Sequence, residues 1–392
     1  MILPPASGAQ PLPPLALYIH LPWCIRKCPY CDFNSYVNSA PPVDHYVQQL
    51  LADLDIELQN PAAQRPLHSI FIGGGTPSLF SGAAIQTLLD GIRTRTGLLP
   101  EIEITLEANP GAADARRFAA YRAAGVNRLS IGVQSLSAAQ LTQLGRVHNP
   151  AQARAAVAAA RDAGFENLNL DMMFALPEQR LSEAATDLEA ALELAPEHLS
   201  YYQLTLEPDT AFHTQSLNLP DDEIAAEMAI QGRELLAKAG FVQYEVSAYS
   251  LPNHRCGHNL NYWQFGDYLG IGAGAHGKLT EVASTHDGWC IQRTAKHSHP
   301  RTYLNAASNG YIANRMILSV EDCVCEFALN ALRLTEGFHA ALFTHTTGLP
   351  LRHFAPYLAQ AVADGLLNVD GEHIEPTALG RDFLDDLVGR FA

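Results

Sequence analysis

From residue 15 onward, short apolar runs alternate with longer stretches in which apolar positions recur every three or four residues. The first pattern predicts buried strands and the second amphipathic helices. Strands are predicted at 15–21, 69–72, 103–107, 128–133, 168–172 and 199–206, with a further one at 242–248. Helices predicted at 43–58, 83–92, 113–124, 151–163, 182–194 and 222–239 fall between them. Gly125 and Gly164 close two of these helices, as glycine does just past a helix end. Strand–helix units joined by short links imply a parallel sheet covered by helices. Six of them predict an α/β fold, a partial (β/α)6 barrel. A flat doubly wound sheet is the competing architecture.

The pattern changes after residue 253. Residues 253–277 are rich in Gly, Asn, His and aromatics, and 280–300 reads as loop with room for a hairpin. Helices follow at 326–334 and 353–365, then a short strand pair at 367–369 and 373–374, then a helix at 377–388. That order predicts a small α+β, winged-helix-like domain. The expected organisation is a flexible lead at 1–14, a barrel domain at 15–250, a linking segment at 251–310 and a C-terminal domain at 311–392.

Charge and cysteine usage narrow the chemistry. With 25 basic and 41 acidic residues the formal net charge is -16, the wrong sign for a broad nucleic-acid surface. Hydrophobic residues make up 47% of the 392 positions, ample for a core. No apolar run is long enough to span a bilayer, and residues 1–14 lack a basic start before an apolar segment. The expectation is a cytoplasmic protein, with transient membrane contact still open to it. Cys256, Cys290, Cys323 and Cys325 lie apart from the cysteines at 24, 28 and 31; Cys256, Cys323 and Cys325 are expected to be structural, although Cys256 stands close enough to His258 to compete as a ligand.

Cys24, Cys28 and Cys31 fall within eight residues, on the loop after the first strand. Thiolates are the natural ligands of iron–sulfur clusters. Three of them on one loop suit a cubane and leave its fourth iron open. Arg26 and Lys27 add positive charge that favours thiolates. A zinc site with His20 as fourth ligand is the alternative. The spacing Cys-x-x-x-Cys-x-x-Cys, with Tyr30 before the last cysteine, resembles the radical S-adenosylmethionine (SAM) signature. The string Tyr18-Ile19-His20-Leu21-Pro22-Trp23-Cys24 narrows the resemblance to the family of the oxygen-independent coproporphyrinogen III oxidase and the haem chaperone HemW, over residues 15–387.

Polar and glycine residues cluster where the predicted strands end, which is where barrels of this class place their sites. Gly73-Gly74-Gly75-Thr76-Pro77 follows the second strand, and glycines let a backbone approach a ligand. Taken alone, the triplet would equally suit a tight turn. Glu107 ends the third strand, where a carboxylate can accept ribose hydroxyls or serve as a cap. The resemblance implies that Tyr18, Tyr30, Gly74, Gly75, Thr76, Glu107, Gln134, Arg146 and Asp171 contact SAM. Arg146 would also suit a surface ion pair. The resemblance further implies a 4Fe–4S cluster on Cys24, Cys28 and Cys31, an electron donor for it, and reductive cleavage of SAM to methionine and a 5′-deoxyadenosyl radical.

Two functions remain within that family. The oxidase carries a further cysteine two residues after the cluster loop, where this chain has Phe33, and it has a longer N-terminal extension. His258-Asn259-Leu260-Asn261-Tyr262-Trp263 matches the HNxxYW motif of HemW-type proteins. His258 offers an imidazole to haem iron, and Tyr262 and Trp263 offer flat apolar faces. A satisfied core histidine beside packed aromatics would look the same. The resemblance therefore implies a chaperone that carries haem as cargo to an apo-haemoprotein, such as a respiratory enzyme, with the oxidase as the alternative.

Overall fold

Strands buried on both faces build the sheet. A computed structural model describes residues 11–110, 115–282, 289–306 and 310–391. Six strands run parallel in chain order: β1 (Leu15–Leu21), β2 (Leu67–Gly74), β3 (Leu98–Ala108), β4 (Arg128–Gln134), β5 (Leu168–Phe174) and β6 (His198–Gln203). Ile19, Ile72 and Leu106 are successive register partners, as are Ile131, Leu170 and Leu199. All six are fully buried, under the helices. Residues of the other parity point into the barrel, because side chains alternate along a strand. The covering helices are α1 (Val43–Glu57), α2 (Gly82–Arg93), α3 (Ala115–Ala124), α4 (Pro150–Asp162), α5 (Leu181–Leu192) and α6 (Asp222–Lys238). Helix α2 shows the logic. Ser81 caps it by accepting from Ala84 N–H at 3.2 Å, and Ile85, Leu88, Leu89 and Ile92 are buried on one side. Each such side chain contributes about 1.5–3 kcal/mol.

The sheet is larger than the sequence pattern predicts. The stretch read as one strand at 242–248 is two short antiparallel edge strands, Val242–Gln243 and Ala248–Ser250. On the far side, β7 (Asp267–Ile271) runs parallel to β1, and antiparallel strands β8 (His276–Val282), β9 (Trp289–Lys296) and β10 (Ile312–Ile317) extend from it. Among the described residues the sheet has 12 strands. Much of the stretch read as loop is therefore sheet. Two buried charge clusters fasten this extension. Lys296 on β9 reaches Asp53 at 2.5 Å and also Glu57, both on α1. Lys278 on β8 reaches Asp267 at 3.0 Å, and Asp267 accepts from Arg65 at 2.7 Å.

A short helix, α7 (Gly257–Trp263), meets β2 at Ser69 and β3 at Glu103. Beyond β10, a second core forms around Phe327, Phe338, Phe343, Phe354 and Phe391. It is enclosed by α8 (Val320–Ala331), further short helices and a three-stranded sheet, β11 (Phe338–His339), β12 (Leu367–Asp370) and β13 (His373–Pro376), in the order β11-β13-β12. This is the small α+β domain expected. The helix predicted at 377–388 is two, Ala378–Asp382 and Leu384–Gly389, divided at Phe383. No helix among the described residues is long and apolar enough to cross a membrane.

Candidate functional site

The cysteine loop is closed at its base by two short parallel strands, Trp23–Cys24 and Tyr36–Val37. Within it Cys31 N–H donates to the Cys28 carbonyl at 3.1 Å, and Phe212 N–H holds the Pro29 carbonyl at 2.9 Å. Lys27 braces the far side by donating to the Phe33 carbonyl at 3.0 Å. Cys24 is buried, while Cys28 and Cys31 are half-buried. Burial pushes the Cys24 and Cys31 thiols up, and the neighbouring thiols add to the rise. Arg146 is the cation that opposes this effect at Cys24. Its guanidinium donates to Cys28 Sγ at 3.5 Å, Tyr30 Oη at 3.3 Å, Asn109 Oδ1 at 3.1 Å and the Gly132 carbonyl at 2.7 Å. Among the described residues, the surface ion pair that would also have suited Arg146 does not form.

Three cysteines on one loop are the donor chemistry of an iron–sulfur cluster. Among the described residues no group of three or more His, Cys, Asp or Glu would hold one metal ion. Both ring nitrogens of His20 are engaged, with Tyr18 Oη at 2.9 Å and the Asn34 carbonyl at 2.8 Å. The carbonyl only accepts, so Nε2 carries the proton and Nδ1 accepts from Tyr18. No lone pair remains for zinc.

The glycine triplet lies against this loop. Gly75 N–H donates to the Leu21 carbonyl and Thr76 N–H to the Trp23 carbonyl, each at 2.8 Å. Thr76 Oγ1 donates to Cys24 Sγ at 3.4 Å. A Cβ on Gly75 would stand 2.6 Å from the Trp23 carbonyl oxygen, and one on Gly74 (φ 114°) would enter the His20 ring. The glycines are thus required by close backbone approach. Gly74 N–H donates to Glu107 Oε2 at 3.1 Å. Burial, with Asp171 behind it, pushes the Glu107 carboxyl up to about 8.

Gly74, Glu107 and His20 open onto a cavity of about 370 Å³, walled also by Tyr18, Phe33, Asn34, Tyr262, Tyr268, Gly274 and His276. Phe33 is 57% exposed there. Gln134 and Asp171 stand further round the barrel. Gln134 ends β4 with φ 68°, a left-handed conformation that non-glycine residues hold only under constraint. Tyr202 Oη holds it by donating to Oε1 at 2.6 Å. Asp171 is not at the end of its strand as expected. It lies mid-way along β5, which continues to Phe174, and it accepts from Ser130 at 3.2 Å and Asn169 at 2.8 Å.

The HNxxYW segment is α7, and only part of it reaches the cavity. Glu103 on β3 takes the place of an N-cap, accepting from Gly257 N–H at 2.9 Å and His258 N–H at 3.0 Å. His258 is 1% exposed. Its Nδ1 meets Ser69 Oγ at 3.0 Å and its Nε2 meets Tyr262 Oη at 3.0 Å. Burial, then His68 and Arg128, lower its pKa to about 3, so the ring is neutral with both nitrogens occupied. Tyr262 lines the cavity, edge-on to Tyr268 at 4.5 Å. Trp263 does not. It stacks under Arg333 of the C-terminal domain at 4.4 Å, and Arg333 is held by Glu245 at 3.0 Å. Cys256 is fully buried and its thiol pushed up to about 12 by that burial, an inert core cysteine.

Comparison with known proteins places this geometry. Residues 18–191 match the radical SAM superfamily, and residues 318–383 match the HemN C-terminal domain. The chain is 49% identical over 381 residues to the heme chaperone HemW of Escherichia coli (strain K12), covering 97% of this chain and 98% of that one. The chain belongs to the HemW family of haem chaperones. Identity is 44% to the HemW of Haemophilus influenzae, over 97% of this chain and 98% of the other. It is 34% to that of Mycobacterium tuberculosis, over 97% and 96%. The fold is shared with the coproporphyrinogen III oxidase HemN of Escherichia coli, described as a radical SAM enzyme. The TM-score is 0.80 at 22% identity, covering 97% of this chain and 90% of that chain. The radical SAM family brings a 4Fe–4S cluster and SAM.

Sequence reasoning missed several residues of the site. In the sequence His20 reads only as a candidate zinc ligand, and Asn34, Tyr268 and His276 do not stand out. A Gly-rich turn immediately before His276 was the available signal.

Proposed function

We propose that the protein is a haem chaperone: it binds haem at the barrel cavity and passes it to an apo-haemoprotein. The observation that carries this reading is the full-length likeness to heme chaperones, at 49% identity over 97% of the chain. The cavity supports it, because the aromatic side chains of Phe33, Tyr18, Tyr262 and Tyr268 line it, as suits a flat apolar macrocycle. A cluster on Cys24, Cys28 and Cys31 would supply single electrons from a cellular donor to SAM. Thr76 and Arg146 would hold the sulfurs of Cys24 and Cys28, and Tyr30 would steady Arg146. Gly74 and Gly75 would bring the backbone against the methionine end of SAM, and Glu107 would accept the ribose hydroxyls once its proton leaves. Gln134, Tyr18 and Asp171 would complete the rim. The cytoplasm, with transient contact at a membrane that holds a respiratory acceptor, is the setting we propose.

The alternative, oxidation of coproporphyrinogen III, rests on fold alone. Phe33 stands on the cavity wall where the oxidase has a cysteine, so that thiol is missing here. The test is haem titration of the anaerobically reconstituted protein, followed by mixing with an apo-haemoprotein. One tight haem per chain that leaves for the acceptor supports the proposal. Haem that stays bound, or binds no better than to a denatured control, refutes it.

A further inference from the structure

We infer that His276 is the axial ligand of the haem iron, an inference that rests on the haem reading above. Three histidines adjoin the cavity, and two have no nitrogen to give. His20 uses both on Tyr18 and Asn34. His258 uses both on Ser69 and Tyr262, behind the wall. His276 is solvent-accessible on the cavity wall, and among the described residues its ring has no hydrogen-bond partner. Its pKa is lowered, first by burial and then by Arg293, which favours the neutral ring that donates a lone pair.

The ring is carried on a rigid support. Gly272 (φ 105°) and Gly274 (φ 82°) turn the chain so tightly that a Cβ on either would collide, at 2.3 Å with the His20 carbonyl oxygen and at 2.2 Å with Asn34. Asn34 Nδ2 ties the turn down through the Ala273 and Ser298 carbonyls, each at 2.9 Å. Gly270 lies under His276, where a Cβ would stand 1.9 Å from its carbonyl oxygen. The same turn is therefore pinned to the cluster loop on one side and presents an imidazole beside Tyr262 and Tyr268 on the other. A single imidazole on one face of the macrocycle leaves the opposite face open for an acceptor's ligand. His258, in this account, acts by orienting Tyr262 and never touches iron.

The experiment is ferric haem titration of the full-length reconstituted protein, read by absorption and EPR. His276→Ala is expected to lose the imidazole signature and at least about tenfold in affinity. His276→Met is expected to replace that signature by a thioether one. His258→Ala is expected to weaken binding while keeping the wild-type axial signature. Circular dichroism and iron content establish that each variant is folded and loaded. A folded His276→Ala with the wild-type signature overturns this inference alone, as does loss of the imidazole signature in His258→Ala. A wild-type protein that binds no haem overturns the haem reading and this inference with it.

Discussion

Gly75→Ala tests whether the glycine triplet is a positioning device for the cluster loop. The added Cβ would meet the Trp23 carbonyl oxygen at 2.6 Å, its carbonyl carbon at 2.8 Å and its nitrogen at 2.9 Å. All three are backbone atoms, so no rotamer can give way. Reaching an ordinary contact of 3.4 Å requires the two segments to part by about 0.8 Å. That separation strains the bonds from Gly75 to Leu21 and from Thr76 to Trp23, and it draws Thr76 away from Cys24. Overpacking of this kind costs about 1–3 kcal/mol. The assay is denaturant unfolding of the apo chain, with iron content and SAM affinity measured on the reconstituted protein. Gly389→Ala is the control, because nothing lies within 4 Å of its Cβ; it should be neutral or stabilising by under about 1 kcal/mol. Gly75→Ala matching that control in stability, iron content and SAM affinity would refute the reasoning.

Three further outcomes are expected. Cys28→Ala should lose the cluster on anaerobic reconstitution, read as iron and sulfide per chain, because only two thiolates remain. Glu107 keeps its proton to about 8 in the fold against an ordinary 4.5, so its contribution to stability falls as pH rises through that interval. The difference in unfolding free energy between wild type and Glu107→Gln should therefore slope by up to about 1.4 kcal/mol per pH unit; a flat difference contradicts a buried, proton-holding carboxyl. Lys296→Met strands Asp53 and Glu57 at α1, and breaking a buried pair in this way should cost about 3–5 kcal/mol in chemical denaturation.

The parallel core was legible because its strands are buried on both faces and each helix between them has an apolar stripe. What lay outside that pattern was not. Strand β10 is almost wholly exposed and carries no alternation to read. Strand β7 passes into Gly-rich sequence that reads as turn, and its glycines are there because β1 and β8 crowd it. Helix α8 begins six residues before its expected start because Ser319 and Asp322 form a capping box. The three cysteines stand out in the sequence by their spacing, and the structure sets them on one loop closed by Trp23–Cys24 and Tyr36–Val37. His258 shows the limit. Its residue type suggested a ligand, yet its environment is set by Ser69, 189 positions away, and by Glu103. His276 had the opposite fate: the Gly-rich turn before it is the one local signal, and only the pairing of β8 and the tie from Asn34 to the Ala273 carbonyl set that turn beside the cavity.

The most direct test of the chaperone account gives the reconstituted, reduced protein SAM together with either coproporphyrinogen III or haem. The account predicts stoichiometric haem binding and no accumulation of protoporphyrinogen IX. Multiple turnovers of coproporphyrinogen III to protoporphyrinogen IX would contradict it.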